Sequence, residues 1–425
     1  MCCSFAIIQK FSRCRLFFCR SAICVFANTG FRTIVRRSVV FVITANARDR
    51  SKTVSIEERF ANGYTSGFDY LRVVLAVAVL CIHSFAVSYG KAGEVFLFQP
   101  PLRGLITFVL PAFFALSGFL VSASLLRTRN VARFLGLRAL RLVPALAVEV
   151  TLCALLLGPA FTTLPLASYV SDPQFSTYFL NIVGHIQYLL PGLFRDNPYY
   201  QAVNVSLWTI PYELECYVAL TVLAVIGFVF RPALLIGVVV IAQLAVIGRD
   251  LMRGATDLPM DGALPGRILL LSFLAGVVLF VCRQHIKVTA PRAIAAAVVS
   301  FVMLNLPYAP YFAAFPIAYV TVAIGLTRPP KHPFIASGDY SYGLYLYAFP
   351  VQQTVAHLFP QHREWYLNIA LSLPATILLA VFSWHAVEKH ALKLKGLIAG
   401  KTGIARQAKP AMVAGARVSV AGDGR

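Results

Sequence analysis

Ten stretches of this chain stay apolar over lengths that approach the hydrocarbon thickness of a lipid bilayer, and that repetition constrains the fold more than any other feature. A helix rises about 1.5 Å per residue, so roughly 20 apolar residues cross about 30 Å of hydrocarbon. The runs cover residues 68–89, 104–126, 140–160, 207–229, 232–249, 264–283, 290–306, 309–327, 336–357 and 367–388. The seventh and eighth are short and carry Pro307, Pro310 and Pro316 around their junction. Two counts therefore stay open: ten separate spans, or nine with that pair as one re-entrant unit. Hydrophobic residues make up 58% and charged residues 13% of the chain, which excludes an ordinary soluble domain. The expected fold is all-α: a bundle of about ten transmembrane helices.

Charge orients the bundle. Arg127, Arg129, Arg133, Arg138 and Arg141 follow the second run. Further basic groups follow the fourth (Arg231), sixth (Arg283, Lys287, Arg292), eighth (Arg328, Lys331) and tenth (Lys389, Lys393, Lys395, Lys401). The opposite connections are poorer in Lys and Arg, so the positive-inside rule places both termini in the cytoplasm. Much of the net charge of +21 is then topology signal and contact with anionic lipid headgroups. No nucleic-acid partner is expected, because the basic residues do not form one face of a soluble domain.

Both ends depart from this pattern. The first fifty residues hold nine Lys/Arg, the single acid Asp49, and Cys2, Cys3, Cys14, Cys19 and Cys24. Residues 1–55 are read as an unstructured or misassigned N-terminal extension in preference to an organellar transit peptide. The cysteines have no metal-ligand spacing, so no metal is expected. Residues 56–389 form the transmembrane domain, and 390–425 are expected to be a basic, disordered cytoplasmic tail.

Polar groups inside the runs are few enough to weigh singly. The first run, FDYLRVVLAVAVLCIHSFAVSY, has Asp69 and Arg72 at its entrance and His83 roughly 16 Å further along the axis. An ionisable group at that depth is either functional or a packing histidine hydrogen-bonded to a neighbour. Arg138 and Arg141, three apart, project from one helix face and suit phosphate; ordinary positive-inside charge is the plain alternative. The fourth run opens NVSLWTIPYELECYVAL, with Trp208 and Tyr212 suited to an interface belt and Glu213 and Glu215 further in. Counting inward from Asn204 and Tyr89 puts Glu213 and His83 at one depth in the outer half of the bilayer. A carboxylate orienting an imidazole is a general-base pair; a buried structural hydrogen bond is the alternative. The ninth run, with Tyr340, Ser341, Tyr342, Tyr345 and Tyr347, lines a passage or glues helices together. Ser117 and Gly118 mark a point of close helix approach. Nothing in the chain matches a Gly-x-Ser-x-Gly elbow, a Walker A loop, a His-Glu-x-x-His pair or a dinucleotide fingerprint.

Taken in order, these fragments resemble the membrane acyltransferase-3 family, whose bacterial members O-acylate cell-surface carbohydrates. The resemblance runs from about Phe68 to Lys389. It rests on Arg72 followed by His83 after ten residues, on Ser117–Leu120, on Arg138, Arg141 and Pro144, on Leu207-Trp208-Thr209 with Glu213, on Ser341-Tyr342-Gly343 with Tyr345-Leu346, and on Val387-Glu388-Lys389. Two positions depart from the family pattern: Leu214 follows the motif glutamate where a second acid is common, and His390 stands where proline is usual.

The resemblance implies a multi-pass enzyme of the bacterial cytoplasmic membrane. Acyl-CoA, in the first place acetyl-CoA, would be its donor substrate, with no bound cofactor. Arg138 and Arg141, helped by Arg72, would take the donor's phosphates. His83 would act as general base or transient acyl carrier, and Glu213 would orient it or bind the acceptor. Asp69, Trp208, Tyr212, Ser341, Tyr342 and Tyr345 would line the acceptor path. A glycan or lipid-linked saccharide would enter by the connection at 161–206. The rival reading is a transporter of a carbohydrate or small anion without bond-making chemistry, although no internal repeat of the kind transporters often show is evident.

Overall fold

A computed structural model of the chain describes residues 54–128, 130–254 and 264–398. These residues hold helices and no β-strand; the sheet-like pairings among them are two isolated bridges, Ser55 with Lys287 and Leu189 with Ala202. Each apolar run holds the greater part of one helix: α1 (Ser66–Leu97), α2 (Val109–Thr128), α3 (Val131–Leu152), α4 (Ile210–Val225), α5 (Pro232–Met252), α6 (Gly266–Val281), α7 (Ala290–Leu304), α8 (Ala314–Gly325), α9 (Ser341–Leu358) and α10 (Trp365–Ser383).

Among the described residues, five helical stretches are long and apolar enough to cross a membrane: Ser66–Leu97, Arg103–Thr128, Val131–Phe161, Pro232–Met252 and Trp365–Lys393. The helices α6, α7 and α8 are apolar but shorter. By helical rise α7 and α8 each reach only about 20 Å, less than the hydrocarbon thickness, and a tight turn at Ala309–Phe312 joins them. A full 18 residues long, α9 is instead too polar to count, as its tyrosines, Gln352 and Gln353 explain.

Packing centres on α6, of whose 16 residues 13 are buried. It lies against α2 at very short range because two glycines face the partner backbone. A Cβ on Gly118 would strike the Phe273 carbonyl, and one on Gly276 would strike that of Ala115. Such small-residue contacts let backbones approach where lipid offers no hydrophobic drive for association. Gly237 in α5 has open space around its Cβ position. Gly118→Val is therefore expected to destabilise the detergent-solubilised protein by about 1–3 kcal/mol or more, while Gly237→Val leaves its thermal aggregation midpoint near wild type. Equal midpoints would contradict this packing.

Two departures from the sequence expectation matter for the site. The first helix does not end at Tyr89: it bends at Gly90, whose φ of 63° favours glycine, and continues to Leu97. The chain before α4 does not stay at the surface either. Asn204, Ser206 and Leu207 are wholly buried, so the turn at Val205–Thr209 dips into the bundle. At the N-terminal side, Ile56–Ala61 forms a capped helix whose Ile56 is fully buried. The extension expected over 1–55 otherwise lies outside the described residues. Lys389–Lys393 and Lys395–Ile398 form two short helices, and the rest of the tail expected over 390–425 lies outside the described residues.

Candidate active site

Two cavities and an open cleft adjoin one another. The first cavity, of about 160 Å3, is lined by Arg72, Ser117, Arg138, Arg141, Glu213, Tyr217, Ser341, Tyr342 and Tyr345 among others. The second, of about 90 Å3, holds His83, Glu94, Thr107, Tyr199, Trp208, Tyr345 and Phe349. Leu110 and Tyr345 belong to both, so one residue pair divides the arginines from the imidazole. Beyond the imidazole, Tyr199, Val205, Trp208 and Leu264 are shared with a cleft that opens outward past Tyr188, Tyr212, Glu215, Arg249 and Arg267.

At the arginine end the guanidiniums are not equivalent. Arg141 lies 2.5 Å from an Asp339 carboxylate oxygen, and Arg72 reaches the same oxygen at 3.3 Å. Ser341 donates to the other oxygen of Asp339 at 2.7 Å, and Glu388 stands 3.9 Å from Arg141. Arg138 makes no salt bridge among the described residues; it donates to Ser124 Oγ at 3.4 Å and lies over the Phe134 ring. It is thus the guanidinium with charge to spare. Its nearest anion in the cavity wall is Glu213, which accepts a short hydrogen bond from Tyr217.

The imidazole sits in a different setting. His83 packs edge-on to Phe349, with ring centroids 5.2 Å apart, and its Nδ1 lies 3.4 Å from Ser206 Oγ. No hydrogen bond among the described residues engages Nε2. Ser206 is itself fixed: its N–H donates to Asn204 Oδ1 at 3.0 Å, and its carbonyl accepts from Tyr345 Oη at 3.0 Å.

Glu213 and His83 are not brought together here: the two line different cavities, and Ser206 takes the imidazole hydrogen bond. The expectation of a common depth takes Asn204 as lying at the surface. Because that turn is buried at the level of His83, Glu213 falls about 10 Å beyond it by helical rise. Ser341, Tyr342 and Tyr345 all line the arginine cavity, and of the three only Tyr345 also lines the cavity of His83; Tyr342 donates to the Leu142 carbonyl at 3.2 Å. Trp208 and Tyr212 meet edge to face, 5.8 Å between centroids, at the mouth of the cleft. Asp69 joins none of these: it pairs with Lys331 at 3.0 Å near the surface.

Sequence reasoning passed over Asp339, Ser206, Asn204, Glu94, Tyr217 and Glu149. For Glu149 the signal was present, since a carboxylate inside an apolar run is what singled out Glu213. Asp339 stands directly before the tyrosine-rich stretch, and its role depends on two arginines distant in sequence. Among the described residues no group of three or more His, Cys, Asp or Glu is arranged to hold a metal. The thiol-bearing Cys153 and Cys216 are buried.

A helical, membrane-type fold thus places a cavity lined by three arginines beside one lined by the half-buried His83. The family model described as "Acyltransferase domain" matches residues 65–386, and the chain belongs to that acyltransferase-3 family. It is an acyltransferase moving groups other than amino-acyl groups. The chain is similar to an O-acetyl transferase of Shigella phage Sf6, 28% identical over 347 residues covering 76% of this chain and 95% of that protein. It is likewise similar to Nodulation protein 10 of Rhizobium leguminosarum bv. viciae, 27% identical over 380 residues covering 81% of this chain and 98% of the other. No solved structure gives a significant match.

Proposed function

We propose that this protein is a multi-pass O-acyltransferase of the bacterial cytoplasmic membrane, with about ten crossings and both termini inside. It takes an acetyl group from cytoplasmic acetyl-CoA and delivers it to a hydroxyl of a cell-surface or exported carbohydrate. The observation that carries this reading is the shared wall, Leu110 and Tyr345, between the arginine cavity and the His83 cavity. A donor with phosphates at one end and a thioester at the other fits such a passage. The O-acetyl transferase of the phage relative supports acetyl as the group moved.

In the proposed reaction the donor phosphates meet Arg138 first, because Asp339 already engages Arg72 and Arg141. The thioester extends past Tyr345. An acceptor hydroxyl in the His83 cavity gives its proton to Nε2 while its oxygen bonds to the thioester carbonyl carbon. The carbon–sulfur bond then breaks, and the imidazolium returns the proton to the departing CoA thiolate. Ser206, by engaging Nδ1, fixes which nitrogen faces the substrate. Glu213 sets the charge of the arginine cavity and takes no part at the imidazole.

Acceptor entry is assigned to the open cleft. Its four aromatic rings, Tyr188, Tyr199, Trp208 and Tyr212, offer apolar faces to a sugar ring, and Glu215, Arg249 and Arg267 offer hydrogen bonds to hydroxyls. Tyr188→Ala and Tyr212→Ala are expected to raise the KM for acceptor about threefold to tenfold each, leaving the KM for acetyl-CoA unchanged. A change confined to the acetyl-CoA KM would contradict the assignment. The reading as a whole is tested with membrane vesicles from the producing strain and acetyl-labelled acetyl-CoA. Label should enter an alkali-labile ester of the glycan fraction only when this protein is present. Label recovered solely as free acetate would count against a carbohydrate acceptor.

A further inference from the structure

Outside both cavities lies a carboxylate that the reaction above does not use. Glu149 in α3 has no exposed surface, and no ion pair satisfies it among the described residues. A carboxyl group at that depth is costly, so what it holds is informative. Its Oε1 accepts from Asn204 Nδ2 at 2.8 Å and from Cys153 Sγ at 3.2 Å, while Oε2 has no hydrogen-bond partner among the described residues.

Asn204 is the link. Its Nδ2 also donates, at 2.9 Å, to the Leu346 carbonyl in α9. That carbonyl needs an outside donor because the residue four further on is Pro350, which has no N–H to complete the helical bond. With both amide protons committed, Oδ1 is forced to face the Ser206 N–H, at 3.0 Å. Ser206 Oγ then meets His83 Nδ1 at 3.4 Å. Two elements distant in sequence, α3 and α9, thus converge on Asn204, which holds Ser206, the residue that meets the imidazole of α1.

We propose that Glu149 is a positioning residue for His83, acting through Asn204 and Ser206; this rests on the assignment of His83 made above. Without an acceptor at position 149, the Asn204 amide loses one of the two anchors that set its orientation. Ser206 is then no longer held where it engages Nδ1. The cost falls on turnover, because the arginine cavity that receives the donor is built from other residues. A misplacement near 1 Å at a reacting group is enough to lower a rate about 100-fold.

The test uses membrane vesicles containing the full chain, with acetyl-CoA as donor and the endogenous glycan as acceptor, rates being normalised to the protein present. Glu149→Gln keeps a carbonyl acceptor and should stay within about twofold of wild type. Glu149→Leu should lose about 10- to 100-fold in kcat with an unchanged KM for acetyl-CoA. Because a leucine variant can fail by misfolding, Asn204→Asp supplies the second arm. It sets a carboxylate against Glu149 and the Leu346 carbonyl and should lose a similar factor in kcat, again with an unchanged KM for acetyl-CoA. Wild-type kcat in Glu149→Leu at equal abundance, or a loss in Glu149→Gln as large as that in Glu149→Leu, would overturn the proposal. His83→Ala is run alongside. If it is inactive while Glu149→Leu keeps wild-type turnover, the positioning role alone fails; if it is fully active, the assignment of His83 fails and the positioning role with it.

Discussion

His83→Ala is expected to lower acyl transfer by at least about 1,000-fold with unchanged membrane abundance, within the range that general acid–base groups contribute. Few neighbours can take over its task. The wall around it is otherwise mostly apolar, and the other ionisable groups lining that cavity are Glu94, Tyr199 and Tyr345. Tyr345 is held by Thr209 at 2.8 Å and by the Ser206 carbonyl, so its hydroxyl is engaged. The donor site should survive the change, since Ser206 and Phe349, which meet the His83 ring, do not line the arginine cavity. Retained binding of acetyl-CoA with lost transfer is therefore the expected signature, checked by initial rates and by competition binding on the same membranes. A variant that loses both together would show instead that the imidazole holds the bundle in shape.

The second large effect concerns the arginines, which are expected to separate into two kinds. Arg138→Ala should raise the KM for acetyl-CoA roughly 10- to 100-fold with little change in kcat, because a charge-assisted hydrogen bond is worth about 1.5–3 kcal/mol. Acetyl-dephospho-CoA, which lacks one phosphate, should be discriminated less by this variant than by wild type if that phosphate is the one contacted. Arg141→Ala should behave differently. It strips Asp339 of its closest cation and Glu388, whose side chain is 3% exposed, of its salt-bridge partner among the described residues. Removing one partner of a buried pair costs on the order of 3 kcal/mol. Lower protein abundance should therefore accompany any kinetic loss in Arg141→Ala, and Arg141→Lys should restore abundance better than affinity. Identical behaviour of the two alanine variants would mean that Asp339 does not distinguish these guanidiniums.

How much of this was legible beforehand follows from what each feature depends on. Helix positions were readable because an apolar run of membrane length admits almost no other structure. Crossing count was less so: α4 and α6 are 16 residues each, and α7 and α8 are shorter still, so length alone does not make them spans. The arginine group was visible as a three-residue spacing on one helix. Its division of labour was not, because Asp339 sits 198 residues from Arg141 in sequence. The structure does not bring His83 and Glu213 together for a specific reason: rise per residue converts position into depth only from a known boundary, and the turn at Val205–Thr209 is largely buried, not at the surface. Ser206 and Asn204 read as ordinary interface polar residues until that turn is seen to descend. The proline at 350 carried a usable hint, since a helix interrupted there must find a donor for Leu346.

Ester formation on a carbohydrate hydroxyl at His83 is the central proposed step. The most direct measurement is mass spectrometry of surface polysaccharide from cells lacking this gene, complemented with wild type or with His83→Ala at matched membrane abundance. Wild type is expected to restore the mass increment of an acetyl ester, removable by mild alkali, and His83→Ala is expected to leave the glycan unmodified. Equal acetylation by both would contradict the central role given to His83, and an unmodified glycan with wild type would contradict the carbohydrate acceptor.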